Sequence, residues 1–191
     1  MIMPIYIIEH LEPKLWEWSI IEYKHIAQLV GKSNCWITHL KTTNPKLRQQ
    51  AKVIPQSVTK LGLSKVCVLD PEAPKMLTPL EAKKFDYFVF GGILGDHPAQ
   101  KRTKKELTQQ FPFLVESRNI GKVQMSTDNA VAVVQEIVKG AKFSELHFQD
   151  EIEIPLQKNE SVLFPYRYLL REGKPLVSPE LIAYLKKKNK F

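Results

Sequence analysis

Short apolar runs that alternate with stretches of helical periodicity constrain the fold of this chain more than any other feature. Four runs are too short for helices and consist mainly of β-branched, aromatic and other apolar residues, at 5–8, 35–38, 66–69 and 87–90. The intervening and following sequence predicts helices over 15–30, over 45–61 with an interruption at Pro55, and over 127–138. This alternation predicts an α/β fold, with a mainly parallel sheet and helices on both faces.

The pattern continues more weakly toward the carboxyl terminus. Residues 104–110 predict a short helix, 113–115 a short strand and 179–188 a final helix. Between the last two lie two weaker apolar stretches, around 152 and over 163–170. We expect one domain over residues 1–191, with a C-terminal extension over about 145–191 packed on it.

Composition excludes several classes of protein. Hydrophobic residues make up 43% of the chain, yet no apolar run approaches the length of a membrane span. The first ten residues lack the basic start of a signal peptide. Cys35 and Cys67, the two cysteines, both lie in apolar runs, which predicts buried free thiols in a reducing compartment. We therefore expect a cytoplasmic protein without a membrane partner.

The net charge of +8 permits two interpretations. A basic surface attracts RNA, but scattered lysines, which here far outnumber arginines, also serve as a solubilising surface. One segment opposes the trend, because residues 145–160 carry five acids and a single lysine. That segment is either an acidic face for a cationic substrate or an ordinary solvated strand and loop.

Unusual residues follow three of the predicted strands. The three segments are 69–71, 90–96 and 116–128, and they contain Asp70, Asp96 and Asp128. Ligands bind at the carboxyl ends of strands in parallel sheets, so the three segments predict a site. The alternative is that aspartate simply favours turns and helix caps.

Common catalytic motifs are absent. The glycines at 91, 92 and 95 do not form G-x-G-x-x-G, and the chain contains neither a P-loop nor G-x-S-x-G. The five histidines lack metal-ligand spacing, so we expect no metal. The remaining prediction is a small ligand held by backbone groups of three loops.

The residues of these loops resemble a known family. The segment FDYFVFGGILGDHP at 85–98 resembles the signature of a eukaryotic and archaeal family of SPOUT-superfamily methyltransferases, and so does IGKVQMSTDNA at 120–130. YIIEHLE at 6–12 and PYRY at 165–168 fit the same family. The resemblance extends over nearly the whole chain.

The resemblance implies a SPOUT-like sheet with a C-terminal trefoil knot, and S-adenosylmethionine as cofactor, released as S-adenosylhomocysteine. Knotted chains are rare exceptions to the usual rules of chain topology. By position, the implied cofactor-binding residues are Leu69, Pro71, Gly91, Ile93, Gly95, Ile120, Gly121, Val123, Met125 and Thr127.

The resemblance also implies an activity. The best-understood member of the family methylates an arginine of a small-subunit ribosomal protein, so we expect a protein-arginine methyltransferase with a ribosomal protein as partner. An RNA methyltransferase acting on rRNA or tRNA is the alternative, and a binding module with a vestigial pocket is a third possibility. Related knotted enzymes are usually dimers, but the arginine-modifying member implies a monomer.

Arginine as the nucleophile would require a carboxylate. The guanidinium group is always protonated, so a carboxylate must grip it, orient one nitrogen and receive a proton. Glu9 and Asp96, each near a strand end, are the predicted catalytic residues, with Glu17 and Glu22 as further candidates. The alternative roles are an ion pair with lysine for Glu9 and a turn cap for Asp96.

Overall fold

The computed structural model describes residues 3–93, 102–157 and 160–188, and it contains a six-stranded parallel sheet. The strands are β1 (Ile5–His10), β2 (Cys35–Thr38), β3 (Lys52–Val53), β4 (Val66–Leu69), β5 (Tyr87–Gly92) and β6 (Glu116–Arg118). Their spatial order is β3-β2-β1-β5-β4-β6, and every neighbouring pair is parallel. All six carboxyl ends therefore lie along the same edge of the sheet.

Six helices accompany the strands in the described residues. They are α1 (Glu17–Val30), α2 (Pro45–Gln50), α3 (Pro79–Ala82), α4 (Arg102–Glu106), α5 (Thr127–Lys139) and α6 (Pro179–Lys188). Helix α5 ends at Gly140, whose φ of 115° suits glycine and whose N–H donates to the carbonyls of Glu136 and Ile137. Helix α5 thus begins and ends within one residue of its predicted bounds.

The sheet buries both of its faces. On one face Tyr6, Ile8 and Phe88 pack with Ile26 of α1 and Val133 of α5, and all five side chains are fully buried. Burial of a large apolar side chain contributes about 1.5–3 kcal/mol, so this face supplies most of the core.

The opposite face is covered by shorter helical segments. Ile7 and Val89 of the sheet pack with Val58, Leu107 and Phe111, which lie in or beside short turns and α4. The expected helices on both faces are therefore present, although the second face is covered mainly by single turns.

A three-stranded antiparallel sheet follows α5. It consists of β7 (Phe148–Gln157), β8 (Glu160–Arg171) and β9 (Lys174–Pro175), and a separate apolar cluster lies between it and α6. The hairpin contacts the parallel-sheet unit directly, because the Arg167 N–H donates to the Gln124 carbonyl at 2.8 Å.

Asn129 fastens this C-terminal segment to α5. The fully buried side chain accepts a hydrogen bond from the Leu169 N–H at 2.9 Å and donates to the Leu176 carbonyl at 3.0 Å. It also donates to Ser126 Oγ at 3.0 Å. One amide side chain therefore satisfies backbone groups on both sides of β9.

The predicted helix over 45–61 is wrong in its second half. Helix α2 ends at Gln50, β3 follows, and residues 58–60 form a 3-10 turn. Asn44 caps α2 by accepting a hydrogen bond from the Leu47 N–H, but the Ile54 N–H already donates to the Ile37 carbonyl in the sheet. Helix α2 therefore ends five residues before Pro55, because the chain pairs with the sheet there instead of continuing as helix.

The predicted strand over 113–115 is also wrong. Leu114 is fully exposed, and Phe113 is half exposed and packs edge-on against Phe111. The strand begins at Glu116 instead, and its single buried residue is Arg118, whose guanidinium pairs with Glu81 and Glu116. Ion pairing rather than apolar alternation stabilises this edge strand.

Gly92 lies where a side chain has no room. A Cβ atom there would be 2.5 Å from the Tyr23 hydroxyl, 2.8 Å from Ile8 Cγ2 and 3.0 Å from the Glu9 carbonyl. We expect Gly92→Ala to lower the free energy of unfolding by about 2–3 kcal/mol, because the contacting groups are in the core. Gly91→Ala is the control, since its Cβ would meet only flexible side chains, the nearest 3.1 Å away at Ile93. Equal losses in urea denaturation would contradict this assignment.

Two further expectations can be compared with the structure. Cys35 and Cys67 are buried and unbridged, as predicted. Within residues 3–93, 102–157 and 160–188, none of the helices is both long enough and apolar enough to span a bilayer.

Candidate active site

A cavity of about 530 Å³ lies at the carboxyl ends of β4, β5 and β6. Helices α1 and α5 form one side, and β8 and α6 form another. This is the position at which parallel sheets bind ligands.

Nine of the ten predicted cofactor-binding residues line this cavity. They are Leu69, Pro71, Gly91, Ile93, Ile120, Gly121, Val123, Met125 and Thr127. Gly95, the tenth, lies outside the described residues, and so does Asp96. The structure thus brings the three predicted loops together around one space.

The third loop combines apolar side chains with a tight turn. Ile120 is buried, whereas Val123 is 44% exposed and lies toward solvent. Gly121 has a φ of 93°, and its N–H donates to Asn119 Oδ1 at 3.1 Å. A Cβ at Gly121 would lie 3.0 Å from the Phe143 ring, so glycine meets both a steric and a conformational requirement.

The other side of the cavity consists of residues that are not among the predicted site residues. Trp18 of α1, Leu181 of α6 and much of β8 line it, including Leu163, Phe164, Pro165, Tyr166 and Tyr168. The PYRY segment at 165–168 was the sequence feature that could have indicated this side of the cavity. It contributed to the family resemblance, but its residues were not included among the predicted site residues. Antiparallel strands that follow a parallel unit have no fixed docking position, so periodicity alone could not place them.

Glu22 and Asp128 form a buried carboxylate pair at the cavity. Glu22 Oε1 accepts a hydrogen bond from the Thr127 N–H at 2.9 Å, at the start of α5. Asp128 accepts from His25 Nδ1 at 2.7 Å and from Ser126 Oγ at 2.5 Å. Both residues line the cavity and both are less than 10% exposed. The N-terminus of α5 therefore gathers negative charge, which its dipole favours.

The surroundings of Glu22 alter its acidity. Burial, and then the nearby Asp128 carboxylate, raise the pKa of Glu22 to about 8, although the backbone N–H groups of Thr127 and Asp128 oppose the shift. A carboxyl group in this state exchanges a proton near neutral pH. This property is typical of groups that act as acids or bases.

The raised pKa predicts how stability depends on pH. Between about pH 4.5 and pH 8 the folded state holds a proton on Glu22 that the unfolded state has released. The Glu22 contribution to stability is therefore fully present below pH 4.5 and is lost as the pH rises through 8, with a slope of at most about 1.4 kcal/mol per unit. We expect the difference in unfolding free energy between the wild type and Glu22→Gln to fall over this range. Urea denaturation of the ligand-free protein at four pH values measures it, and a constant difference would contradict the shift.

Glu9, a predicted catalytic residue, lies outside the cavity lining. Its Oε2 accepts hydrogen bonds from the Thr38 hydroxyl at 2.5 Å and the Val58 N–H at 2.9 Å. Successive residues of a strand point to opposite faces, so Glu9 shares the Ile7 face rather than the α1 face. The Glu9 carboxylate therefore joins β1, β2 and the 58–60 turn, and its role in gripping a substrate stays a prediction.

Most of the acidic segment 145–160 lies in β7, which spans Phe148–Gln157. Asp150 pairs with Arg167 through two hydrogen bonds of 2.6 and 2.7 Å, and this bonding lowers the pKa of Asp150. Glu151, Glu153 and Glu160 are exposed. Within the described residues, no three His, Cys, Asp or Glu side chains are grouped to hold a metal ion.

Comparison with known proteins decides the family. The profile described as "Protein arginine N-methyltransferase SFM1-like" matches residues 5–190. This chain belongs to the SFM1-like family. It is 40% identical to the protein arginine N-methyltransferase SFM1 of Saccharomyces cerevisiae, with 95% of this chain and 94% of that protein covered. The resemblance inferred from the loop motifs is therefore confirmed.

Solved structures of SFM1-like proteins have the same fold. The yeast arginine methyltransferase SFM1 complexed with S-adenosylmethionine superimposes with a TM-score of 0.89 at 36% identity, covering all of this chain and 93% of that one. Its complex with S-adenosylhomocysteine gives 0.87 at 38% identity, covering 95% and 94%. Trm10 of Thermococcus kodakaraensis, at 18% identity and a TM-score of 0.55, covers 75% of this chain and 96% of its own and shares the SPOUT fold.

Proposed function

We propose that this protein transfers a methyl group from S-adenosylmethionine to a nitrogen of an arginine side chain in a ribosomal protein. The observation that carries the proposal is the cavity, which gathers nine residues assigned to the cofactor from the resemblance. Family membership supports the reaction, because the yeast relative is named a protein arginine N-methyltransferase. The ribosomal substrate rests on the resemblance alone.

The residues present fit the cofactor. The apolar side chains of Ile120, Val123 and Met125 suit the faces of an adenine ring, and the thin wall at Gly91 and Gly121 leaves backbone groups accessible to a ligand. Bound there, the cofactor supplies an electrophilic methyl group on a sulfonium. The task of the protein is then to position the nucleophile in line and to exclude water.

A second candidate function is RNA methylation, favoured by the net charge of +8. It predicts RNA binding that weakens steeply as salt increases, because counterions are released from phosphates. The pocket chemistry favours arginine instead. Among the described residues, four carboxylate residues and two cationic ones line the cavity: Glu22, Asp70, Glu72 and Asp128 against Arg102 and Lys122.

A methyl-transfer assay separates the two functions. The protein and methyl-labelled S-adenosylmethionine are incubated with total RNA or with ribosomal proteins, both from a strain that lacks the enzyme. We expect label in one basic protein band, and loss of that label when its target arginine is changed to lysine. Label in RNA alone would overturn the proposal.

We also propose a trefoil knot in the C-terminal half. After β6, the Asn119 N–H donates to the Lys75 carbonyl at 2.8 Å, and the Asn119 carbonyl accepts from the Leu77 N–H at 2.9 Å. The chain after β6 thus runs beside the chain after β4, as a threaded segment would. The single-domain organisation, with an extension over about 145–191 packed on it, is proposed on the hydrogen bonds of Asn129 to Leu169 and Leu176.

We propose a cytoplasmic monomer as the working form. The buried free thiols of Cys35 and Cys67 are consistent with a reducing compartment. Asp96, the other predicted catalytic residue, stays part of the proposal as a carboxylate near the β5 end. Light scattering of the purified protein measures its mass against the 22.0 kDa of one chain.

A further inference from the structure

The cavity has an aromatic side that the cofactor assignment leaves unused. Trp18 of α1 lies four residues from Glu22, so the two side chains share one helix face. Tyr166 and Tyr168 lie two apart on β8, and both line the same cavity. Three aromatic residues and a carboxylate thus border one space. Aromatic faces and carboxylates together attract flat organic cations.

The carboxylates around the cavity differ in what already binds them. Asp70 accepts from the Glu72 N–H through Oδ1 and from the Thr108 hydroxyl through Oδ2. The two oxygens of Asp128 accept from His25, Ser126 and Asn129. Both groups are therefore occupied by their own surroundings.

Glu22 differs in the kind of contact it makes. Its hydrogen bonds come from the first turn of α5, including the Thr127 N–H, and no cationic side chain within hydrogen-bond range neutralises it in the described residues. Its neighbour Thr127 reaches the Gly91 carbonyl at 3.5 Å, and both of those residues belong to the cofactor set. Glu22 is therefore hydrogen-bonded directly to one of the predicted cofactor-binding residues, Thr127.

We propose that Glu22 is the carboxylate that holds the guanidinium of the target arginine, between the aromatic side chains of Trp18, Tyr166 and Tyr168. This inference rests on the proposed function. In this proposal Glu22 takes the role that was predicted for Glu9. Glu22 lines the cavity, whereas Glu9 lies on the opposite face of the sheet.

The proposed methyl transfer conserves atoms and charge. The nitrogen–carbon bond forms as the sulfur–methyl bond breaks, the sulfur keeps the bonding pair, and the proton that leaves the nitrogen passes to the Glu22 carboxylate. The product arginine stays a cation, and the proton then leaves to solvent. Glu22 holds a proton below about pH 8 in the ligand-free protein. Binding of the guanidinium cation favours the ionised carboxylate and releases that proton to solvent, so the carboxylate is free to accept the proton that leaves the nitrogen.

Glu22→Gln tests this role. The glutamine oxygen can still accept the Thr127 N–H, so the helix start keeps its hydrogen bond while the charge and the proton acceptor are lost. Single-turnover transfer to pooled small-subunit ribosomal proteins is expected to slow by at least about 100-fold. Affinity for S-adenosylhomocysteine, measured by calorimetry, is expected to change by less than about threefold, and the thermal midpoint should not fall.

Two variants serve as controls. Glu172→Gln removes an exposed carboxylate from the turn between β8 and β9, outside the cavity lining, and is expected to retain wild-type turnover. Glu22→Asp keeps the carboxylate on a shorter side chain and is expected to retain more activity than Glu22→Gln.

The turnover and the cofactor affinity of Glu22→Gln each test the proposed role of Glu22. Turnover of Glu22→Gln within about tenfold of the wild type overturns the inference. A tenfold or greater loss of S-adenosylhomocysteine affinity also overturns it, because Glu22 would then hold the cofactor. If the wild type labels no ribosomal protein, the proposed function fails and this inference falls with it, whereas an active wild type isolates the role of Glu22.

Discussion

Replacing Asn129 with alanine is expected to lower the free energy of unfolding by about 2–6 kcal/mol. The substitution removes the acceptor of the Leu169 N–H and the donor to the Leu176 carbonyl, and it leaves both backbone groups without that partner. Each unsatisfied buried group costs about 1–3 kcal/mol. Because the C-terminal sheet is fastened at this point, we also expect weaker binding of S-adenosylhomocysteine. Urea denaturation and calorimetry measure the two effects.

Asn34→Ala is the matched control for this prediction. The Asn34 side chain makes a single 3.2 Å hydrogen bond to the Val30 carbonyl, at the partly exposed end of α1. Its loss is expected to cost less than about 1 kcal/mol. If both alanine variants lost the same stability, Asn129 would not be the fastening point that its hydrogen bonds indicate.

A larger side chain at Ala130 is expected to weaken cofactor binding by about 10- to 100-fold. Ala130 lies on α5 and lines the cavity beside Thr127. Phenylalanine there must occupy space that the ligand needs, or displace the packed residues behind it, at a cost of about 1–3 kcal/mol. Calorimetry with S-adenosylhomocysteine measures the effect on Ala130→Phe.

The control places the same bulk on the same helix away from the cavity. Lys139 is exposed in the last turn of α5, so Lys139→Phe is expected to bind S-adenosylhomocysteine like the wild type. Unchanged affinity in Ala130→Phe would show that this part of the cavity is not the cofactor site.

Elements with a strong local signal could be predicted from the sequence. Strands β2 and β4 and helix α6 have their predicted bounds, because apolar runs and a proline at the helix start mark them clearly. Strand β6 was misplaced by three residues, since its stability comes from the ion pairs of Arg118 rather than from apolar residues. Side chains that pair across long sequence distances leave no periodic trace.

In the candidate site, too, one part could be predicted from the sequence and another could not. Loops after consecutive parallel strands converge by topology, so the cofactor loops could be predicted before any coordinates were known. The choice between Glu9 and Glu22 could not, because β1 is buried on both faces and its apolar run does not tell which face holds the cavity. Only the packing of α1 on the sheet separates the two carboxylates.

The cavity draws its walls from both ends of the chain. Trp18 lies near the amino terminus and Leu181 near the carboxyl terminus, and both line the same space. During synthesis, the early strands can pair long before the last wall has left the ribosome. A nascent chain that has not yet added α6 therefore lacks one wall of the cavity.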